Sequence, residues 1–292
     1  MKQAAPPSAR IVRAYYVLTK PGIVYSNVMT AAAGYLFASH WHIRWATFLA
    51  LLGGTALLIA ASCVTNNCLD RRIDRRMSRT RTRALAAGVI TVPGALLYAA
   101  LLGAAGLGLL LKTNWLTVAI GLSAVFSYVV LYGWGKRHSI HGTLVGTAPG
   151  AASLVAGYTA VTGRLDVAAL LLFLIMLTWQ MPHFYAIAIR RLDDYTAAGL
   201  PVWPARRGIP STVRQIVIYI ALFFVAVCSL TVTGYTGVSF LVIMGGLGAW
   251  WFVLAVRGFR TGDAAWARRT FLFSLIVLTV FSAALPLGVL LP

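Results

Sequence analysis

Residues 62–80 read SCVTNNCLDRRIDRRMSRT, a segment that passes from apolar residues directly into mixed basic and acidic ones. If an α-helix continues through this segment, Asn66, Asp70 and Asp74 follow one another at four-residue spacing. They then advance by only about 40° at each step and share one face of the helix. Two carboxylates at this spacing repel each other unless something positive lies between them. The segment therefore predicts either a solvated ladder of charges at a helix end or a cation-binding site.

The rest of the chain is too apolar for a fold in water. Of its 292 residues, 60% are hydrophobic and only 11% are charged, which leaves too few polar side chains for a solvated shell. A membrane-spanning helix needs roughly 20 apolar residues. We expect an all-α integral membrane protein whose transmembrane helices form a bundle around a central cavity. The nine predicted spans are residues 21–39, 45–66, 93–111, 115–134, 143–162, 167–189, 213–233, 238–256 and 270–290.

The basic residues predict the orientation of this bundle. With the N-terminus in the cytoplasm, 22 of the 25 Lys and Arg residues fall in inner segments and 3 fall in outer loops, which is the bias typical of membrane proteins. Nine spans then leave the C-terminus outside. In a soluble protein a net charge of +19 would suggest nucleic acid as a partner, but this placement argues against it. We divide the chain into an N-terminal cytoplasmic segment, residues 1–19, and a single intramembrane domain, residues 20–292.

Carboxylates are scarce and clustered in this chain. It has no Glu and only six Asp, four of which lie in two long inner loops. Asp70 and Asp74 belong to the first loop, at about residues 70–92, and Asp193 and Asp194 to the second, at about residues 190–212. Proteins typically hold Mg²⁺ with one or two carboxylates together with phosphate oxygens and water. Because the amide of Asn66 has no evident reason to lie in an apolar helix, a metal site is favoured over a solvated charge ladder.

Residues 179–184 read WQMPHF and lie in the sixth predicted span. Gln180 and His183 are three residues apart, and polar side chains at membrane depth are functional candidates by default. Packing against a neighbouring helix is an open alternative for His183. The basic residues of the two loops also have two explanations, because membrane orientation alone requires them and guanidinium groups suit phosphate oxygens. Arg79 and Arg83 are favoured for phosphate contact by their position after the acids.

These residues also resemble a known family. Residues 66–85 resemble the N-x-x-x-D-x-x-x-D-x-x-M-x-R-T-x-x-R-P-L signature of the protoheme IX farnesyltransferases, the heme O synthases of the UbiA-type intramembrane prenyltransferase superfamily. Residues 179–204 are similar to a second block of that family, W-Q-M-P-H-F followed by D-Y-x-x-A-G-x-P-M-x-P, and residues 19–21 resemble its entry to the first helix. Ala84 departs from the usual Pro and Val202 from the usual Met. Arg190 stands where the quinone branch has the first acid of D-x-x-x-D.

The resemblance implies Mg²⁺-dependent transfer of a farnesyl group from farnesyl diphosphate to the vinyl group of heme B, which gives heme O. It also implies roles for particular residues, and for His183 it leaves open whether the side chain ligates iron or donates to a propionate. The expected metal ligands and catalytic residues are Asp70, Asp74, Asp194 and Asn66; the expected diphosphate-binding residues are Arg79, Arg83 and Lys20; the expected heme-contacting residues are His183 and Gln180.

Two other functions stay open from the residues alone. A related prenyltransferase would act on an aromatic or quinone precursor. A secondary transporter also places polar residues inside the membrane, but it predicts acids near the middle of the bilayer, whereas here they lie at helix ends. Since heme O feeds terminal oxidases, the resemblance implies a bacterial inner membrane. Terminal oxidase assembly or a heme A synthase is then the expected further partner.

Overall fold

The computed structural model describes residues 7–291, and within that range the chain is helical with no β-strand. The all-α prediction is therefore confirmed. In chain order the helices are α1 (Pro7–Leu18), α2 (Pro21–Ser39), α3 (Trp45–Asp74), α4 (Val92–Leu110), α5 (Trp115–Phe126), a π-helical stretch (Ser127–Tyr132), α6 (Gly133–His138), α7 (Gly142–Thr162), α8 (Val167–Arg190), α9 (Leu192–Ala197), α10 (Trp203–Val232), α11 (Val238–Val256), a 3₁₀ turn (Arg257–Phe259) and α12 (Ala264–Leu287).

Eight helices in the described range are long and apolar enough to cross a membrane. They match eight of the nine predicted spans, with α5, the π-helical stretch and α6 forming one of them as a continuous rod. The remaining predicted span is present as α2, which is 19 residues long but is not among the eight. Polar residues in its first half, Ser26, Asn27 and Thr30, lower its hydropathy, and all three line the central cavity.

The N-terminal segment forms α1 over Pro7–Leu18, while residues 1–6 of the predicted segment 1–19 lie outside the described residues. The amide nitrogen of Asn67 donates to the carbonyl oxygen of Leu18 at 2.9 Å. Leu18 is buried together with Val64 and Leu85. This contact fixes the end of α1, and with it the turn into α2, against the C-terminal part of α3.

Helix α3 decides where the acidic residues lie. It runs for 30 residues, from Trp45 to Asp74, so the helix continues through the segment quoted above, as predicted. Asn66, Asp70 and Asp74 all line one cavity, which confirms that they share a face. After Asp74 the chain makes a series of turns until Thr91, whose hydroxyl accepts from the backbone N–H of Gly94 and caps α4.

Glycines let α2 and α7 approach closely. A Cβ atom at Gly157 of α7 would lie 2.1 Å from the carbonyl oxygen of Ala31, and one at Gly34 of α2 would lie 2.2 Å from that of Leu154. Such distances are far below van der Waals contact, so the two backbones meet only because both positions lack a side chain. Small residues have the same role between helices in lipid, where close backbone packing replaces hydrophobic association. This pair of helices forms one wall of the central cavity.

We expect Gly157→Ala to destabilise the protein, because the added methyl group collides with backbone atoms that cannot move independently. Overpacking of this kind typically costs ~1–3 kcal/mol, and the thermal unfolding midpoint in detergent, followed by intrinsic fluorescence, should fall by several degrees. Gly108→Ala is the matched control, since a Cβ atom at this position in α4 meets nothing within 4 Å. Equal midpoints for the two variants would contradict the packing described here.

Candidate active site

A cavity of about 600 Å³ opens at the end of the bundle where α3 terminates. Along α3 it extends from Asp74 back to Thr55, which corresponds to about 28 Å of helix rise. Its mouth is charged and its depth is apolar. The charged residues that line it are Lys20, Asp70, Asp74, Arg79, Arg83, Lys136, Arg190 and Arg191, and apolar residues further in include Leu58, Ile59, Leu110, Val125, Met176 and Leu278.

Asp70 is held by two cations from α6. Lys136 and Arg137 both form ion pairs with its carboxylate, and the Arg137 contact measures 3.1 Å. Lys136 also donates to the amide oxygen of Asn66 at 2.7 Å, so one ammonium group joins two of the predicted site residues. Because the carboxylate is only 14% exposed, an ion pair here is screened little by water. The end of α6 is thereby tied to the face of α3 that carries the acids.

Asp74 is bound by the loop that follows it. An η nitrogen of Arg83 contacts both carboxylate oxygens, at 2.9 and 3.1 Å. The Thr80 hydroxyl donates to the backbone carbonyl of Asp74 at 2.9 Å. The Asp74 side chain is 4% exposed, and removing the partner of a buried charge is strongly unfavourable. Three of the four ion pairs found among the described residues belong to Asp70 or Asp74, so positive charge is concentrated at these two carboxylates.

Asp194 connects the two long loops that follow α3 and α8. One of its carboxylate oxygens accepts from the backbone N–H of Ser78 at 3.1 Å and from the Ser78 hydroxyl at 2.7 Å. These hydrogen bonds hold the pKa of Asp194 below its usual value. Asp194 is absent from the cavity lining, and residues 7–291 contain no group of three His, Cys, Asp or Glu side chains that could hold a metal. The structure thus brings Asp70, Asp74 and Asn66 together and keeps Asp194 on the neighbouring loop.

The donor atoms along α3 suit a hard cation. Asn66, Asp70 and Asp74 carry amide and carboxylate oxygens on the cavity wall, the ligand type that Mg²⁺ prefers, and in the structure these oxygens are bonded to Lys136, Arg137 and Arg83. The surrounding Lys and Arg side chains suit the phosphate oxygens that complete such a site. The residues present therefore fit Mg²⁺ bound together with a phosphate group.

Lys20 reaches the same mouth from the start of α2. Its backbone adopts the left-handed conformation, with φ of 52°, at the turn between α1 and α2. For a residue with a side chain this conformation costs free energy and is often retained at functional sites. Burial lowers the pKa of its ammonium group, and Lys20 lines the cavity together with Arg79 and Arg83. The three predicted diphosphate-binding residues therefore lie around one opening.

Sequence reasoning missed the aromatic and cationic residues contributed by the rod that ends in α6. The rings of Tyr128 and Tyr132 stack with centroids 5.6 Å apart, and both line the cavity. The Asn66 amide contacts the Tyr128 hydroxyl at 3.4 Å, and Lys136 lies 5.1 Å from the centre of the Tyr132 ring. A signal was available in the four-residue spacing of Tyr128, Tyr132 and Lys136, which places them on one face. In the sequence, Lys136 counts only as one of the 22 basic residues of the inner segments.

Gln180 is fixed by backbone carbonyls. Its amide nitrogen donates to the carbonyl oxygens of Thr147 and Met176 at 3.1 and 3.0 Å, and the side chain is buried. A Cβ atom at Gly150 would lie 1.9 Å from the Gln180 amide oxygen. The glycine therefore makes room for the glutamine between α7 and α8. Both Gln180 and His183 line the cavity, as expected from their spacing.

With this geometry described, comparison with known proteins defines the class of the chain. The model of the UbiA prenyltransferase family matches residues 27–278. The fold agrees with a solved structure of digeranylgeranylglyceryl phosphate synthase, with a TM-score of 0.79 and 18% identity over 95% of this chain and 98% of that one. It also agrees with a UbiA homolog from Archaeoglobus fulgidus bound to GPP and Mg²⁺, with a TM-score of 0.68 and 16% identity over 93% and 99%. The chain belongs to the UbiA prenyltransferase family and is an enzyme of that class.

Curated relatives define the branch more closely. The chain is 47% identical over 268 residues, 91% of each chain, to the protoheme IX farnesyltransferase of Pseudomonas syringae pv. syringae. It is 44% identical over 275 residues, 93% of each chain, to that of Yersinia enterocolitica. The resemblance drawn from the two motifs is thereby confirmed over nine-tenths of the chain.

We expect Asp194→Ala to loosen the loop that carries Arg79 and Arg83, because both hydrogen bonds to Ser78 are lost. Limited trypsin digestion of the detergent-solubilised protein should then cleave between residues 75 and 83 several times faster than in the unmodified chain. Asp193→Ala is the control, since Asp193 is exposed and its carboxylate forms no ion pair or hydrogen bond with the described residues. Equal cleavage rates for the two variants would show that this contact does not hold the loops together.

Proposed function

We propose that the chain transfers the farnesyl group of farnesyl diphosphate to the vinyl group of heme B and so forms heme O. The names of its 43–47% identical relatives support this reaction. So does the shape of the cavity, whose charged mouth suits a diphosphate and whose apolar depth suits a prenyl chain and a porphyrin. The observation that carries the proposal is the continuity of these two environments along α3, from Asp74 to Thr55.

We propose nine transmembrane helices, with α2 added to the eight apolar ones, and a single membrane domain over residues 20–292. The N-terminus lies in the cytoplasm and the C-terminus outside, in the inner membrane of a bacterium. Inner segments then hold most of the Lys and Arg residues, and the cavity mouth opens to the cytoplasm. Helix α2 packs against α3, α7 and α12, which supports a membrane position for it despite its polar residues.

In this proposal Asp70, Asp74 and Asn66 hold Mg²⁺ on the diphosphate of the substrate. The bound metal would neutralise phosphate oxygens and make pyrophosphate a better leaving group. Asp194, which was expected to complete the metal ligands, has a different role here: by binding Ser78 it keeps Arg79 at the mouth. The ion pairs of Asp70 and Asp74 keep positive charge close to the carboxylates, so the diphosphate enters a site whose cations are already in place.

Cations around the mouth stabilise the charge that develops on the leaving group. Lys20, Arg79, Arg83 and Lys136 line the opening, and fixed positive groups act most strongly where negative charge accumulates in the transition state. As the allylic C–O bond breaks, pyrophosphate takes the electron pair and remains at these cations. The farnesyl cation is left in the apolar part of the cavity, where side chains exclude water.

The acceptor half of the reaction takes place deeper in the cavity. The terminal vinyl carbon of heme B attacks the farnesyl cation and forms the new C–C bond, which leaves a cation on the carbon next to the macrocycle. A water molecule adds to that carbon and loses a proton, and the product carries a hydroxyethylfarnesyl group. His183 and Gln180 line the part of the cavity that would hold the porphyrin. The product would pass to a heme A synthase or to terminal oxidase assembly.

We expect Asp70→Asn to reduce heme O formation by at least about a hundredfold, because the loss of one anionic ligand removes several kcal/mol of transition-state stabilisation. Purified protein in lipid nanodiscs is given heme B and farnesyl diphosphate, and the extracted hemes are measured by mass spectrometry. Asp263→Asn is the control: Asp263 caps α12, lies outside the cavity lining, and Asn preserves the cap. Heme O formation at the unmodified rate in Asp70→Asn would remove this residue from the metal site.

Removal of divalent metal should stop the reaction reversibly. Treatment with EDTA is expected to abolish heme O formation, and added Mg²⁺ should restore it, because a free diphosphate is a poor leaving group without charge neutralisation. The same nanodiscs are given 4-hydroxybenzoate in place of heme B. Prenylated benzoate without heme O would show an enzyme of the quinone branch. The protein is also reconstituted into sealed lipid vesicles, where uptake of substrate without any chemistry would show a transporter.

A further inference from the structure

The imidazole ring of His183 is held in one orientation by three neighbours. It stacks on Trp179 with ring centroids 5.1 Å apart, and the ring of Phe271 of α12 lies tilted to it at 4.9 Å. Its Nδ1 atom lies 2.8 Å from the hydroxyl oxygen of Ser274. The backbone carbonyl of Ser274 accepts from the Trp179 indole at 2.8 Å. Ser274 of α12 therefore positions the side chains of both Trp179 and His183 of α8.

The hydrogen bonds of Ser274 determine which imidazole nitrogen carries the proton. The Ser274 hydroxyl lies 2.6 Å from the carbonyl oxygen of Phe271, and two oxygens at this distance repel each other unless a proton lies between them. A carbonyl has no proton to give, so the single hydroxyl proton of Ser274 points to Phe271. The Ser274 oxygen can then only accept from His183, and the proton of the imidazole lies on Nδ1.

This assignment leaves Nε2 of His183 as an unprotonated nitrogen with a lone pair. Nε2 makes no hydrogen bond to any of the described residues, and His183 lines the cavity. No carboxylate within the described range lies within 4.0 Å of the ring to favour a second proton. Histidines that bind metals commonly have this arrangement, in which one ring nitrogen donates to a protein acceptor and the other faces the metal.

We propose that His183 ligates the iron of the porphyrin substrate through Nε2, and that Ser274 is the positioning residue that fixes the required tautomer. The proposal rests on heme B as the substrate and identifies how it is held. A role for His183 as donor to a propionate requires an N–H at Nε2, and the hydrogen bonds of Ser274 place the only proton of the neutral ring elsewhere. Iron ligation requires the lone pair that the structure leaves available.

The experiment compares two porphyrins that differ only in the metal. Ferric heme B and metal-free protoporphyrin IX are titrated separately into the full-length protein in nanodiscs, and binding is followed by absorbance or fluorescence. His183→Ala should weaken heme B binding by about tenfold or more and abolish the spectrum of imidazole-bound iron, while binding of the metal-free porphyrin is unchanged. His138→Ala is the control, since His138 is exposed and outside the cavity lining, and it should bind both porphyrins normally.

A serine pair in α12 tests the positioning role. Ser274→Ala should weaken heme B binding roughly tenfold and broaden the iron spectrum, again without an effect on the metal-free porphyrin. Ser282→Ala removes a buried hydroxyl of the same helix that only donates to the carbonyl of Leu278. This variant should change neither heme B binding nor the iron spectrum. Equal losses for both porphyrins in His183→Ala would overturn iron ligation and show a propionate contact. If the unmodified protein binds neither porphyrin, the proposed substrate itself is wrong.

Discussion

A carboxylate at the end of an apolar helix needs a cation beside it, and this requirement organises the end of the bundle at which α3 terminates. Asp70 takes Lys136 and Arg137 from α6, and Asp74 takes Arg83 from the loop that follows it. These ion pairs tie two segments to α3. One is α6, which is distant in sequence, and the other is the irregular loop that carries Arg83. Two of the cations that make the acids tolerable at this depth, Lys136 and Arg83, also line the cavity. In the proposed function, one set of contacts therefore serves both stability and substrate binding.

The arrangement separates two kinds of chemistry along a single helix. Near Asp74 the cavity is lined by charged groups that suit a metal-bound diphosphate, and near Leu58 it is lined by apolar groups that suit a prenyl chain. Glycines shape the wall between them: Gly157 lets α7 approach α2, and Gly150 leaves room for Gln180. An allylic cation released at the boundary would meet the acceptor before it meets bulk water. A charged mouth followed by an apolar depth explains why the acids lie at helix ends. A transporter would place its acids nearer the bilayer centre.

Much of this could be predicted from the sequence, because helix periodicity places Asn66, Asp70 and Asp74 on one face and apolar runs locate the membrane helices. The partners of these acids could not be predicted, since Lys136 is 66 residues from Asp70 and only the fold brings α6 to α3. Asp194 differs from these two acids. It is absent from the cavity lining and accepts hydrogen bonds from Ser78 of the other loop, a partner that no local pattern reveals, and its part in metal binding stays a prediction. The tautomer of His183 depends on Ser274, 91 residues away, which no local pattern reveals.

The central claim is that Asp70 and Asp74 bind the metal that accompanies the diphosphate. The most direct measurement is a structure of the protein with Mn²⁺ and a non-hydrolysable farnesyl diphosphate analogue, in which the anomalous signal of manganese locates the metal. We expect manganese bound by oxygens of Asp70 and Asp74, with the diphosphate between the metal and the side chains of Arg79 and Arg83. A metal bound at Asp193 and Asp194, with the α3 carboxylates still paired only to Lys136, Arg137 and Arg83, would contradict it.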